Sequence, residues 1–116
     1  MAEIHKLVVG SIQSNCYILS EKGESIVIDP GGDVKLILDK LNELKTKPIY
    51  IVNTHGHLDH IEANDEIKRA TGAKILIHKN DAPMLTDAFL NRSAVFGQPI
   101  VCQPADKLLA DGEAIK

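Results

Sequence analysis

Between Ser25 and His78 the hydrophobic pattern changes period four times, and that alternation leaves few folds open. Residues 25–29 read as a short strand that stops at Asp29-Pro30-Gly31-Gly32, a break that permits unusual backbone angles and close approach by another group. Val34, Ile37, Leu38, Leu41 and Leu44 then recur at helical spacing, with Asp33 placed as N-cap and lysines gathering toward the end. Pro48 opens the next strand, residues 49–53. A helix through Ile61, Asn64, Ile67 and Lys68 follows, with Gly72 as its C-terminal cap, and residues 74–78 form another strand. Strand, helix, strand, helix, strand in this order predicts parallel neighbours joined by crossover helices, an α/β fold.

The flanks add smaller elements. Residues 7–10 and 16–19 read as strands of a hairpin joined by Ser11-Ile12-Gln13-Ser14-Asn15. Asn80 or Asp81 can cap a short helix that runs through Leu85 with Pro83 in its first turn. Residues 86–103 weaken into loop, with Phe96-Gly97-Gln98-Pro99 as the clearest turn. At 116 residues, 44% of them hydrophobic and 25% charged, the chain has the make-up of one domain, residues 1–116, with a core of its own.

Charge and cysteine usage exclude several classes. A net charge of −3 gives no electrostatic reason to expect nucleic acid or an anionic membrane surface as partner. No apolar run approaches the length that spans a bilayer, and Leu7-Val8-Val9 is too short for the core of a signal peptide, so a cytoplasmic location is expected. Cys16 and Cys102 lie far apart and form neither a CxxC knuckle nor a disulfide framework; two buried thiols in a reducing compartment are expected. There is no serine-elbow pattern and no phosphate-cradling glycine loop followed by lysine.

The chemistry concentrates in Thr54-His55-Gly56-His57-Leu58-Asp59-His60, which holds three of the five histidines and a carboxylate. Neutral imidazole and carboxylate are the ligands that zinc and similar borderline metals prefer. In extended backbone, His55 and His57 point the same way and can grip one ion, with Gly56 keeping the loop open. Asp59 and His60, turned by the start of the helix, can face a second ion about 3.5–4 Å away, the spacing of two-metal hydrolytic sites. Asp59 is the candidate catalytic residue, since a carboxylate can both bind the second ion and orient, or take a proton from, an attacking water. Asp29, the histidine cluster and His78 all fall at carboxyl ends of strands, the edge where open α/β sheets place their ligands. His78 is expected in a structural or supporting role, with its ring satisfied by local hydrogen bonds.

These residues carry a resemblance. His55-x-His57-x-Asp59-His60, preceded by a strand and Thr54 and followed by a helix, resembles the metal-binding signature of the metallo-β-lactamase superfamily, and Val27-Ile28-Asp29-Pro30-Gly31-Gly32 matches the strand and loop that precede it there. Asn15-Cys16-Tyr17-Ile18-Leu19, Ile77-His78-Lys79-Asn80-Asp81-Ala82-Pro83 and the Asp111-Gly112-Glu113 turn further resemble the branch containing glyoxalase II-like, hydroxyacylglutathione hydrolase-like thioesterases. Glu62-Ala63 stands where many relatives carry two glycines.

The resemblance implies the N-terminal half of an αββα sandwich, a mixed sheet with helices packed on one face. It implies His55 and His57 as ligands of a first metal, Asp59 and His60 as ligands of a second, and Asp29 as a supporting carboxylate beside them. A third histidine for the first metal, a bridging aspartate and a further histidine for the second belong to the later half of such domains, past Lys116. Two zinc ions are the implied cofactor, iron or manganese also suiting these donors, and a histidine at the second signature position favours a zinc hydrolase. The implied reaction is hydrolysis of a thioester, lactone or related small carboxyl derivative by a metal-activated water. The alternative is a noncatalytic metal-binding or self-assembling half-domain, completed by a second copy or by the missing half.

Overall fold

The computed structural model describes residues 3–10, 13–54, 56–94 and 100–110. The elements run β1 (Glu3–Val9), β2 (Ser14–Glu21), β3 (Glu24–Ile28), α1 (Val34–Leu44), β4 (Lys47–Asn53), α2 (Leu58–Ile61), α3 (Asn64–Thr71), β5 (Lys74–His78), α4 (Ala82–Leu85) and β6 (Lys107–Leu109). They build one six-stranded sheet whose spatial order equals the chain order. β1, β2 and β3 are antiparallel, whereas β3, β4, β5 and β6 are parallel, so the sheet is mixed as expected of an α/β chain with a leading hairpin.

Strand register divides the sheet into two unlike faces. Ile18, Val27, Ile51 and Ile75 lie side by side across β2 to β5 and are all buried. Ile37 and Leu41 of α1, Ile61 of α2 and Ile67 of α3 join them in one core cluster, so the helices sit on this face. On the opposite face the rows Ile4–Leu19–Ile26–Tyr50 and Tyr17–Ile28–Val52–Leu76 are equally apolar, yet only Leu76 of them is buried. Helices on one face and an apolar, partly exposed second face are the layer pattern of half a sandwich.

Four local features depart from the sequence expectation. Asp33 does not cap α1: it enters the helix in a left-handed conformation (φ 50°, ψ 54°), and its Oδ2 instead accepts the backbone N–H of Gly10 at 3.0 Å, closing a contact 23 residues apart. The single helix expected across Ile61 to Lys68 is two helices, because Ala63 donates its N–H to the Pro30 carbonyl (2.9 Å) and leaves the helical path. Neither Asn80 nor Asp81 caps α4 by a side-chain bond; Pro83 lies in its first turn as anticipated.

The fourth departure is β6, which falls where the apolar pattern gives no strand signal. Asp106 holds it: the backbone N–H of Asp106 donates to Ile75 O (2.8 Å), its carboxylate accepts the N–H of Ile75 (2.8 Å), and Lys68 pairs with the same carboxylate. Within the expected loop, buried Asn91 ties Met84 O (2.9 Å) to Ile100 O (2.8 Å) through its amide nitrogen. The expected turn at residues 96–99 lies outside the described residues, as does the one at residues 111–113. Gly72 closes α3 as read from sequence, at φ 77° with its N–H on Lys68 O (2.8 Å). Among the described residues no helix is long and apolar enough to cross a membrane.

Candidate metal centre

Because β3 and β4 are parallel neighbours, Ile28 pairs with Val52, and the residues that follow each strand emerge side by side at the same edge of the sheet. Asp29 turns there at φ 56°, donating its N–H to Val52 O (3.0 Å). Its side chain is almost fully buried, 4% of the residue remaining exposed, and a buried carboxylate must find donors. Thr54 supplies two, its N–H to Oδ1 at 2.7 Å and its hydroxyl to Oδ2 at 2.5 Å.

The same Oδ2 lies 3.0 Å from Nδ1 of His60, and Nε2 of His60 lies 3.2 Å from Oδ2 of Asp59. A continuous chain therefore runs from Thr54 through Asp29 and His60 to Asp59. The Asp29 carboxylate thus lies against one ring nitrogen of His60 and Asp59 against the other, the carboxylate–histidine arrangement by which proteins orient a metal-ligating imidazole. With bonds near 2.0 Å, a tetrahedral ion separates its ligand atoms by about 3.3 Å. The observed 3.2 Å fits, so the donor set suits a divalent metal.

Asp59 and His60 belong to α2, a single turn whose N-cap position is His57, extended at φ −72° and ψ 152°. Asp59 and His60 are partly exposed, with 26% and 17% of their side chains open to solvent, enough for an ion or water to enter. Gly31 packs against this turn so closely that a Cβ on it would fall 1.7 Å from the Asp59 carbonyl oxygen. Gly56 is buried and packs on Met84, where a Cβ would lie 2.5 Å from the Met84 Cβ. His55 lies outside the described residues. Among the described residues, no three His, Cys, Asp or Glu groups already stand in an arrangement that would enclose an ion.

His78 ends β5 on the same edge, and its Nδ1 accepts the N–H of Asn80 at 3.1 Å. The thiols are poor candidates for ligation. Burial, with the Asp29 charge adding to it, pushes Cys16 up to about 12; burial, then Asp65 and Glu62, does the same for Cys102. Both are free and buried. Glu62, just past His60, is held above its usual range by burial first and then by the charges of Asp33 and Glu66.

Several residues of this neighbourhood carry no motif signal. Ser14 Oγ donates to the Asp59 carbonyl at 2.5 Å, Asn53 Nδ2 to the His60 carbonyl at 3.0 Å, and Cys102 Sγ to the Ile61 carbonyl at 3.5 Å. Only Asn53 was findable from sequence: it falls two residues past Ile51, on the inward phase of β4, where a polar side chain interrupts an apolar face.

Comparison with known proteins agrees with this fold. A probable metallo-hydrolase from Bacillus subtilis, YqgX, is 36% identical over 110 residues, covering 93% of this chain and 52% of that protein. The hydroxyacylglutathione hydrolase GloC of Haemophilus influenzae is 28% identical over 97 residues, 83% of this chain and 46% of that one. The crystal structure of the BLEG-1 B3 metallo-beta-lactamase superposes with a TM-score of 0.92 at 32% identity, covering 98% of this chain and 56% of that one. Two further structures of this fold hold different metals: the di-zinc class B3 enzyme LRA-12 from an Alaskan soil metagenome (27% identity, TM-score 0.72, 88% of this chain and 41% of that one) and TTHA1623 in a di-iron-bound form (23% identity, TM-score 0.81, 96% and 56%). The chain spans about half the length of the curated relatives it matches. The family model described as the metallo-beta-lactamase superfamily matches residues 9–115, and with the mixed sheet and the Asp29–His60–Asp59 chain at its edge, this places the chain in that superfamily.

Proposed function

We propose that this chain carries metal ligands of a metal-dependent hydrolase acting on thioesters, lactones or related small carboxyl derivatives. The observation that carries the reading is the bracketing of His60, with Asp29 on Nδ1 and Asp59 beside Nε2. His55 and His57 would hold one ion, and Asp59 and His60 a second, with zinc as the metal on the strength of its preference for imidazole and carboxylate donors. When bound, such ions polarise a substrate oxygen and make a water acidic enough to attack near neutral pH.

The protein's own residues supply orientation and proton handling. Thr54 fixes the Asp29 carboxylate, the Asp29 charge beside Nδ1 helps set the direction of the His60 ring, and Asp59 offers an oxygen able to orient a water or accept its proton. A thioester substrate is suggested by the hydroxyacylglutathione hydrolase relative, and a reducing cytoplasmic setting, in which Cys16 and Cys102 stay free thiols, belongs to the same reading. The test is direct: metal analysis of the purified chain, followed by assay with hydroxyacyl-glutathione thioesters and lactones. Turnover above buffer that a chelator abolishes supports the reading; a chain with no metal uptake and no turnover contradicts it.

A second reading has its own observation. The apolar sheet face bearing Tyr17, Leu19, Ile26, Ile28, Tyr50 and Val52 is partly exposed, as befits a noncatalytic half-domain that assembles with a second copy or with the other half of a sandwich. Sedimentation separates the two, since a monomer that binds no hydrophobic dye would sink the assembly reading.

A further inference from the structure

The position of Asp59 and His60 is set through their backbone. α2 is one turn long, and the carbonyls of Asp59, His60 and Ile61 each accept a side chain from a distant segment: Ser14, Asn53 and Cys102. The middle bond is anchored most deeply. Asn53 Nδ2 donates to the His60 carbonyl (3.0 Å) and to Asn64 Oδ1 (3.1 Å), while Asn64 Nδ2 returns a bond to Asn53 Oδ1 (2.7 Å). Both amides are buried, at 2% and 0% exposure.

Two buried amides are an expensive way to fill a core that leucine would fill at no desolvation cost. Their bonds have one consistent orientation, because a reversed Asn53 amide would set oxygen against the His60 carbonyl oxygen. The pair thus ties the end of β4 and the start of α3 to the one residue whose ring bridges Asp29 and Asp59. We propose that the buried Asn53–Asn64 pair is a positioning element for metal binding, holding the His60 backbone so that Nε2 stays beside Asp59 Oδ2. This rests on the metal-dependent reading given above.

The experiment uses the chain carrying the paired change Asn53→Leu and Asn64→Leu, which leaves no orphaned amide but takes the donor from His60 O. Thr71→Ala is the control, removing the hydroxyl that donates to Ile67 O and accepts the Ala73 N–H at the far end of the same helix. Co²⁺ is the probe, with affinity read by competition against a chromophoric chelator and geometry by the visible absorption bands. The paired variant is expected to bind about tenfold more weakly, with shifted bands, and Thr71→Ala as the parent does. In the metal-free chains, amide exchange of residues 58–61 is expected to be about tenfold faster in the paired variant, with β5 amides unchanged. A folded paired variant with parental affinity, spectrum and exchange overturns the proposal. Should the paired variant fail to fold, Asn64→Ala is read in the same way, with parental values again overturning it. A parent chain that takes up no Co²⁺ overturns the metal-dependent reading instead, and exchange alone then decides the positioning claim: faster exchange supports it and unchanged exchange overturns it.

Discussion

Replacing Asp29 by asparagine removes a charge and one acceptor from the centre of the Thr54–Asp29–His60–Asp59 chain while leaving the shape and the left-handed backbone tolerable, since asparagine adopts φ near 56° readily. The magnitude follows from the contacts. Asp29 accepts two hydrogen bonds, from Thr54 N–H at 2.7 Å and the Thr54 hydroxyl at 2.5 Å, and its charge lies 3.0 Å from His60 Nδ1; bonds to an ionised acceptor contribute about 1.5–3 kcal/mol each against about 1 for neutral pairs. One bond survives in neutral form, and relief of the buried charge offsets part of the loss, so the net cost is about 3 kcal/mol. An unfolding entropy of about 2.1 cal/mol/K per residue over 116 residues converts this to a fall in melting temperature of about 12 °C. The assay is thermal unfolding of the metal-free Asp29→Asn chain, followed by metal titration, where loss of the His60 support should weaken binding about 10–100-fold. A melting temperature within 3 °C of the parent, together with unchanged metal affinity, would refute the reasoning that Asp29 organises the site.

Three further outcomes are expected. Gly31→Ala forces a methyl onto the Asp59 carbonyl, so it should destabilise the fold by about 3 kcal/mol, measured by denaturant unfolding; a cost under about 1 kcal/mol would mean that the contact yields easily. Burial pushes the Asp106 carboxyl up, but Lys68, the Ile75 N–H and Lys74 together hold it below its ordinary 3.8. Its contribution is therefore complete above pH 3.8 and lost as pH falls through its lower folded value, and Asp106→Asn should lower the melting temperature at pH 6 but converge with the parent in strong acid. Glu62 carries the opposite sign, since a carboxylate raised above its ordinary 4.5 destabilises the fold when charged: Glu62→Gln should raise melting by about 2 °C at pH 7, a gain that vanishes below pH 4.5, and a gain independent of pH would contradict the cause given.

Elements whose signal is local were legible in the sequence. β5 over Lys74–His78 and the Gly72 cap follow from an apolar run bounded by turn residues and from a glycine free to take positive φ. The approach of Asp29 to the histidine segment was legible too, because parallel pairing of β3 with β4 brings their carboxyl ends together whatever the side chains are. What escaped depends on contacts between distant residues. Asp33 looks like any N-cap until Gly10, 23 residues earlier, offers its N–H. Nothing around Glu62-Ala63 announces a helix break; the Pro30 carbonyl makes it. β6 is three residues pinned by Asp106 to the start of β5, too short for any periodicity. The Asn53–Asn64 pair shows the same limit, for one asparagine out of phase is a hint and its partner 11 residues on is visible only in the fold.

The central claim is that residues 55–60 hold a catalytic metal through side chains organised by Asp29. Zinc titration of the metal-free chain against a chromophoric chelator, run beside the His60→Ala variant, tests it most directly. The account predicts saturable uptake by the parent, at one to two ions per chain, and at least about tenfold weaker uptake when His60 is removed. No saturable uptake by the parent, or equal uptake by both chains, would contradict it.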